Sequence, residues 1–332
     1  MIRRYSILLF VLILASCDAD LDVFREGDPT PVVYCVLDQD KSVQSLRLTR
    51  SYNSFRASVP PDSPDSIKFS EAIDIALEQV DGNNTEKRAF FVPVSIEKDS
   101  GFFPVAENWI YQTDMVILPD KTYKLILYLN ETDKIIYSTC TTVTPFTIVN
   151  PAYPEVRDLH LQVDHNPQFY WTNSKNAGIY QMGFILHYDE FTAETTESKS
   201  VLIDLNTRFV PDPSEHFISQ SINSTQFYMK LNELLDHKPE VIRRFTGLDA
   251  MIICGGEELA YLIRLQQAGQ TFSLMEFTNI YNGIGIFSSR LIRKTEGFRL
   301  TAQTIDSIAY GRYTYDLNFL DRNGVREKGG EE

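Results

Sequence analysis

Two β-sandwich domains in a mainly β chain, the second with a short helical insertion, are what this sequence predicts. Short runs of alternating apolar and polar residues recur along most of its length. Turn-forming clusters such as Asp81-Gly82-Asn83-Asn84 separate those runs. A proline cluster, Thr144-Pro145 followed by Asn150-Pro151-Ala152-Tyr153-Pro154, interrupts the pattern and marks a boundary near residue 150.

The first domain is expected over residues 31–150. Val32, Val33, Val36 and Leu37 form one strand-like run. Leu46 and Leu48 alternate with Arg47 and Thr49, and Ile73, Ile75 and Leu77 alternate with Asp74, Ala76 and Glu78. Phe90 to Ile96 reads as a further strand. In the next, Tyr123, Leu125 and Leu127 share one face, and Ile135 to Val143 follows. Polar outer faces at this spacing argue for antiparallel sheets packed on one side. The stretch Val59-Pro60-Pro61-Asp62-Ser63-Pro64-Asp65 cannot join a central strand and reads as an exposed loop.

The second domain is expected over residues 151–320. Gln168-Phe169-Tyr170-Trp171, a polar turn, and Ile179 to Ile185 resemble the early strands of a fibronectin type III domain, where a tryptophan packs under a tyrosine-bearing neighbour. The expected class is therefore an immunoglobulin/fibronectin-like sandwich. Asn232 to His237 reads as a helical turn. Glu257 to Gln267 is the clearest helix, with Glu257 and Glu258 in its first turn, where the helix dipole favours acids. Leu259, Leu262, Ile263 and Gln266 form one stripe on it. A strand over Ala250 to Cys254 precedes it, β structure resumes over Phe277 to Ile292, and Tyr310 to Phe319 is strand-like. Residues 321–332 form a polar tail. Within Phe277 to Phe287, Asn282-Gly283 fits a turn and Gly285 a close approach of two backbones. That segment is expected to be structural and to cover the helix.

The chain has 332 residues, 43% hydrophobic and 23% charged, which suits globular domains with real cores. Its net charge of -14 argues against nucleic acid and against docking on anionic lipid head groups. No cysteine pair has Cys-x-x-Cys spacing. Cys35 and Cys140 could pair, and the simpler reading is that they are buried free thiols. Gly-x-Ser-x-Gly, His-Glu-x-x-His and phosphate-loop motifs are absent from the sequence. Gly283-Ile284-Gly285 lacks the third glycine of a dinucleotide fingerprint. Asp158 and His160, with Asp164 and His165 nearby, form the one local cluster with metal-ligand chemistry, and polar loop-edge residues are the simpler reading. No catalytic, cofactor or metal residue is assigned, and no enzyme activity is expected. Trp109 and Tyr111, in Glu107-Asn108-Trp109-Ile110-Tyr111, are the candidate contact surface.

The amino terminus addresses location. Arg3 and Arg4 precede the apolar run Ile7 to Leu14, which is too short for a membrane span, and Leu14-Ala15-Ser16-Cys17 follows. This resembles the lipobox of bacterial lipoproteins. It implies a signal peptide over residues 1–16, a lipidated Cys17, and an acidic tether over residues 17–30. Val32 to Leu37, Leu46-Arg47-Leu48-Thr49-Arg50-Ser51, Ala72 to Ile75, Lys121 to Leu125 and Phe277-Thr278-Asn279-Ile280-Tyr281-Asn282-Gly283-Ile284-Gly285-Ile286-Phe287 lie in this order along the chain. The layout resembles an uncharacterised family of Bacteroidota outer-membrane lipoproteins, often encoded beside TonB-dependent receptors. The resemblance implies a lipid-anchored outer-membrane protein that serves such a receptor as accessory or ligand-capture partner. A structural or adhesive surface lipoprotein without a transporter is the alternative.

Overall fold

The computed structural model describes residues 30–50, 73–96, 108–130, 134–151, 157–163, 165–210, 212, 214–267 and 278–326. Residues 1–29, with the expected signal peptide, Cys17 and all but the last residue of the expected tether, lie outside them, as do the proline-rich stretch 59–65 and residues 327–332. The described chain is mainly β. Its strands β1 (Pro31–Asp38), β2 (Gln44–Arg50), β3 (Ile73–Asp81), β4 (Asn84–Phe90), β5 (Val92–Ile96), β6 (Asn108–Thr113), β7 (Thr122–Leu129) and β8 (Lys134–Thr141) come from the first half. The second half supplies β9 (Ile148–Asn150), β10 (Asp158–Leu159), β11 (Gln168–Thr172), β12 (Ala177–Phe191), β13 (Thr196–Phe209), β14 (Phe217–Ser221), β15 (Ile242–Gly256) and β16 (Ile284–Leu300). Three α-helices join them among the described residues: α1 (Ser224–Leu234), α2 (Glu257–Gln267) and α3 (Ala302–Tyr310).

One long sheet, in the order β13-β12-β15-β16-β1-β2-β6-β5, carries strands of both halves. Its β6-β5 end and β1 face the four-stranded sheet β4-β3-β7-β8 across an apolar core containing Val33, Leu46, Ile75, Leu125 and Ile136. Its β13 end faces the small sheet β14-β11-β9, together with α1 and α3, across a second core containing Phe169, Trp171, Met182, Phe227 and Ile308. The result is two sandwiches that share a sheet. The alternation along β12 shows why: Tyr180, Met182, Phe184, Leu186 and Tyr188 are buried, while Ile185, His187 and Asp189 are half-buried on the other side. Period-two burial of this kind turns every second residue into one core.

The chain passes from the first core to the second between Cys140 and Val143, just before the proline cluster, while the long sheet joins the two cores. Strand β16 pairs with β1 in parallel and with β15 antiparallel. Phe287 and Leu291 lie on the same side of β16, yet Phe287 belongs to the first core and Leu291 to the second. Ser289, between them and buried, accepts a hydrogen bond at 3.2 Å from Val143 N–H, where the chain crosses from one sandwich to the other.

Several local expectations need correction. Of the helical turn expected at 232–237, residues 232–234 end a longer helix, α1, that begins at Ser224, and 235–237 lie beyond it. Asn223 caps it by accepting from Gln226 N–H at 3.0 Å, and Phe227, Tyr228 and Leu231 bury its inner face. The strand-like reading of Tyr310–Phe319 fails as well. Tyr310 ends α3, whose N-cap is Thr301, and Tyr315–Leu317 is a 3₁₀ turn. The last long strand starts at Ile284 and runs on to Leu300, past the expected end at Ile292. Helix α2 stands where expected, but only Ala260 is fully buried on it. Its Leu259 sits against Gly255, and Ile280 and Phe287 of the 278–287 segment enter the first core.

Candidate functional site

The outward face of the four-stranded sheet collects exposed aromatic rings. Register alignment explains why. Phe90 on β4 stands opposite Ala76 on β3, Ala76 opposite Ile126 on β7, and Ile126 opposite Tyr137 on β8. Directly opposed residues point to the same side of a sheet. A bridge from Tyr137 to Tyr281 adds a fifth member to the row, and their ring centroids are 4.6 Å apart at an interplanar angle of 34°. Phe90 is 58% exposed and Tyr281 57%, whereas Ala76 is 2% and Ile126 6% exposed. The middle of the row is therefore covered, and its solvent-accessible part is the aromatic ends. Two residues along, Ile135, Tyr128 and Asp74 form a parallel row, with Tyr128 and Ile135 exposed.

Polar groups border the rings. The Lys124 ammonium lies 5.6 Å from the centroid of Tyr137, within the range where a cation is drawn to an aromatic face. Lys124 stands opposite Glu78, which pairs with Arg88. Asn282 donates from Nδ2 to the Ile135 carbonyl at 2.9 Å and so fixes the segment that presents Tyr281. Asn282 itself has φ of 59°, the left-handed turn conformation that asparagine tolerates.

Trp109 and Tyr111 do not belong to this face. They sit on β6 opposite Ser95 and Pro93, at the far end of the long sheet. Tyr111 packs against the first core, and burial pushes its hydroxyl pKa up, while Trp109 is exposed. Asp158 is engaged by Arg299 through two hydrogen bonds of 2.8 and 3.1 Å, and His160 bonds Thr301 Oγ1 at 3.1 Å. Asp164 lies outside the described residues, and no group of three metal-ligating side chains occurs among those described. Cys35, Cys140 and Cys254 are buried free thiols. Burial pushes Cys35 and Cys254 up to about 12, which keeps them protonated and unreactive.

Two polar constellations escaped the sequence reading. His187 Nε2 lies 2.8 Å from Asp249 Oδ2, and Asp249 Oδ1 accepts from Gly297 N–H at 3.1 Å. The aspartate thereby satisfies an amide beside the irregular pairing of β15 with β16. Arg243 is fully buried and donates to the carbonyls of Leu317 and Asp236 at 2.8 and 3.0 Å. It also lies 3.7 Å from Glu190, which pairs with Lys199 at 3.3 Å. A cavity of about 320 Å³ beside this network is lined by Glu190, Thr192, Thr195, Glu197, Lys199 and Val241, among others. No motif spacing links these residues, because the sheet brings them together from distant strands. The arrangement neutralises charges and ties the 3₁₀ turn to the sheet.

No family model matches the chain, and no curated protein is similar to it. Among solved structures it is similar to a crystal structure of Dpr11 IG1 bound to DIP-gamma IG+IG2, at 7% identity and a TM-score of 0.18, over 59% of this chain and 96% of that one. A crystal structure of DIP-gamma IG1+IG2 is similar at 8% identity and a TM-score of 0.17, over 82% of this chain and 99% of that one. At such TM-scores the likeness carries no weight for fold or function, and the two-sandwich architecture rests on the strands and cores themselves.

Proposed function

We propose that this chain is a lipid-anchored outer-membrane protein that serves a TonB-dependent receptor as accessory or capture partner, and that it works by binding and not by catalysis. The observation that carries the anchor is the run Ile7 to Leu14 closing on Leu14-Ala15-Ser16-Cys17. Acyl chains on Cys17 would each gain about 0.8 kcal/mol per buried methylene, and several chains together hold a protein firmly to a membrane. No helix among the described residues is long and apolar enough to cross a membrane, so the reading needs no span beyond the lipid. The exposed tyrosine-rich face supports a binding role, since tyrosine offers a broad apolar ring and a polar tip.

Fractionation tests the anchor. Wild-type protein should incorporate labelled palmitate and sediment with outer membrane, and Cys17→Ser should be soluble or remain unprocessed. A Cys17→Ser variant that still takes up label and stays with the outer membrane overturns the assignment. Co-purification from solubilised outer membranes tests the partner. Recovery of a TonB-dependent receptor supports the reading, and its consistent absence from a stable lipoprotein preparation removes that part of it.

A further inference from the structure

We infer that the outward face of β4-β3-β7-β8 is a binding platform for a neutral oligosaccharide. The inference deepens the capture role proposed above. It rests on that reading for the protein's location only, because binding itself is a property of the folded chain.

Three features select this ligand chemistry. First, the rings stand on a sheet, so they share a plane-like base. Phe90 and Tyr137 are three strands apart, about 14 Å at ordinary strand spacing. Ala76 and Ile126 between them are almost fully buried, so the accessible apolar surface lies at the two aromatic ends, which stand a few sugar rings apart. Second, hydrogen-bonding groups are interleaved with the rings. Tyr128 stands opposite Asp74, the Lys124 ammonium lies by the Tyr137 ring, and Asn282 adjoins Tyr281 in sequence. A pyranose has apolar C–H faces that cover an aromatic ring and equatorial hydroxyls that meet such groups at its edge. An extended apolar surface would instead suit an obligate protein interface, whose centre is depleted of charge. Third, the charges in these rows balance, Asp74 and Glu78 against Lys124 and Arg88. Glu78 and Arg88 already neutralise each other. The rows themselves therefore add no net charge to draw a charged polymer, and the chain's net charge of -14 disfavours an anionic one.

The test uses the mature full-length chain carrying Cys17→Ser, run in native gels cast with dextran, soluble starch, galactomannan, xyloglucan or laminarin, and with alginate as an anionic control. The expected result is retardation by at least one neutral polysaccharide and none by alginate. Tyr137→Ala and Tyr128→Ala should each weaken that retardation about ten-fold, while Trp109→Ala leaves it unchanged. The two tyrosines are at the surface, so their variants should stay folded with a melting temperature lowered by no more than a few degrees, and that measurement accompanies each gel. Retardation by none of the neutral polymers, retardation by alginate alone, or retardation indifferent to both tyrosine variants overturns the inference. If the tyrosine variants instead lose receptor co-purification while no polymer binds, the face is a protein contact and the oligosaccharide assignment is wrong. Failure of the Cys17 experiment would remove the anchor and leave this result standing.

Discussion

Gly285 lies against the backbone of Val33 so closely that a Cβ placed on it would overlap the Val33 carbonyl. Its φ is +120°, a region L side chains rarely adopt. The two residues are partners in the parallel pairing of β16 with β1, the junction of the long sheet. A side chain here would have to push the central strands apart. Gly285→Ala should therefore lower stability by at least about 2 kcal/mol, through backbone strain and overpacking together. Gly82, in the β3–β4 turn, has φ of +57° with nothing near its Cβ position. Gly82→Asn should change stability by well under about 1 kcal/mol, since asparagine tolerates that conformation. Urea titration of both variants checks the contrast, and equal effects would contradict it.

A fragment covering residues 30–150 should not fold alone. Its core in the full chain contains Ile280 and Phe287, and its strand β1 has β16 as a hydrogen-bonded neighbour. Removing them opens a cavity and exposes a sheet edge. Far-UV circular dichroism should show an unfolded fragment, and adding a peptide of residues 278–300 should recover β signal. A fragment that is folded without the peptide shows that the first sandwich stands by itself.

The shared strand also makes the two sandwiches one cooperative unit. Phe287 fills one core and Leu291 the other, with only Ser288-Ser289-Arg290 between them. Unfolding either core frees the strand the other needs. Trp109 reports on the first sandwich and buried Trp171 on the second. In Trp109→Phe and Trp171→Phe variants, the remaining tryptophan should follow urea curves with coincident midpoints. Phe287→Ala should shift both curves by about 3–5 kcal/mol of stability. Midpoints that separate would show that the cores melt independently.

The strands were legible where their pattern is local. Trp171 does pack on a tyrosine-bearing neighbour, Tyr180, with ring centroids 5.4 Å apart. Alternation in β3, β7 and β8 announced their inward faces, and the Gly285 contact was readable from a glycine inside a strand. The joined sheet was not, because the β1–β16 pairing spans about the whole described chain and leaves no mark on composition. Helices α1 and α3 hid behind mixed polar stretches, although each had a cap to betray it, Asn223 and Thr301. The aromatic face was hidden for a different reason. Phe90, Tyr128, Tyr137 and Tyr281 lie on separate segments, and only the register of four strands aligns them. Trp109 and Tyr111 share one strand, β6, and a single strand says nothing of which side chains the register sets beside it.

Glu258 should destabilise the protein at neutral pH. The sequence places it in the first turn of α2, where the dipole favours an anion. In the structure it also lies against β16, and Ser288 Oγ donates to its carboxylate at 2.9 Å. Burial raises its pKa above 4.5, and the hydrogen bonds from its own backbone N–H and from Ser288 only partly oppose that. Desolvation has thus outweighed the dipole. The sign follows from proton binding: the folded chain holds this proton more tightly than the unfolded chain. The resulting stabilisation is complete below pH 4.5 and is lost as pH rises through the folded value. Glu258→Gln keeps a carbonyl oxygen for Ser288 and removes the charge. It should melt higher than wild type at pH 7–8, with the gap closing as the pH approaches about 4, where the glutamate is neutral as well. Differential scanning calorimetry across that range decides the matter. A variant less stable than wild type at pH 8 would mean that the dipole and the hydrogen bonds dominate, and that the carboxylate is there to hold α2 onto β16 in its charged form.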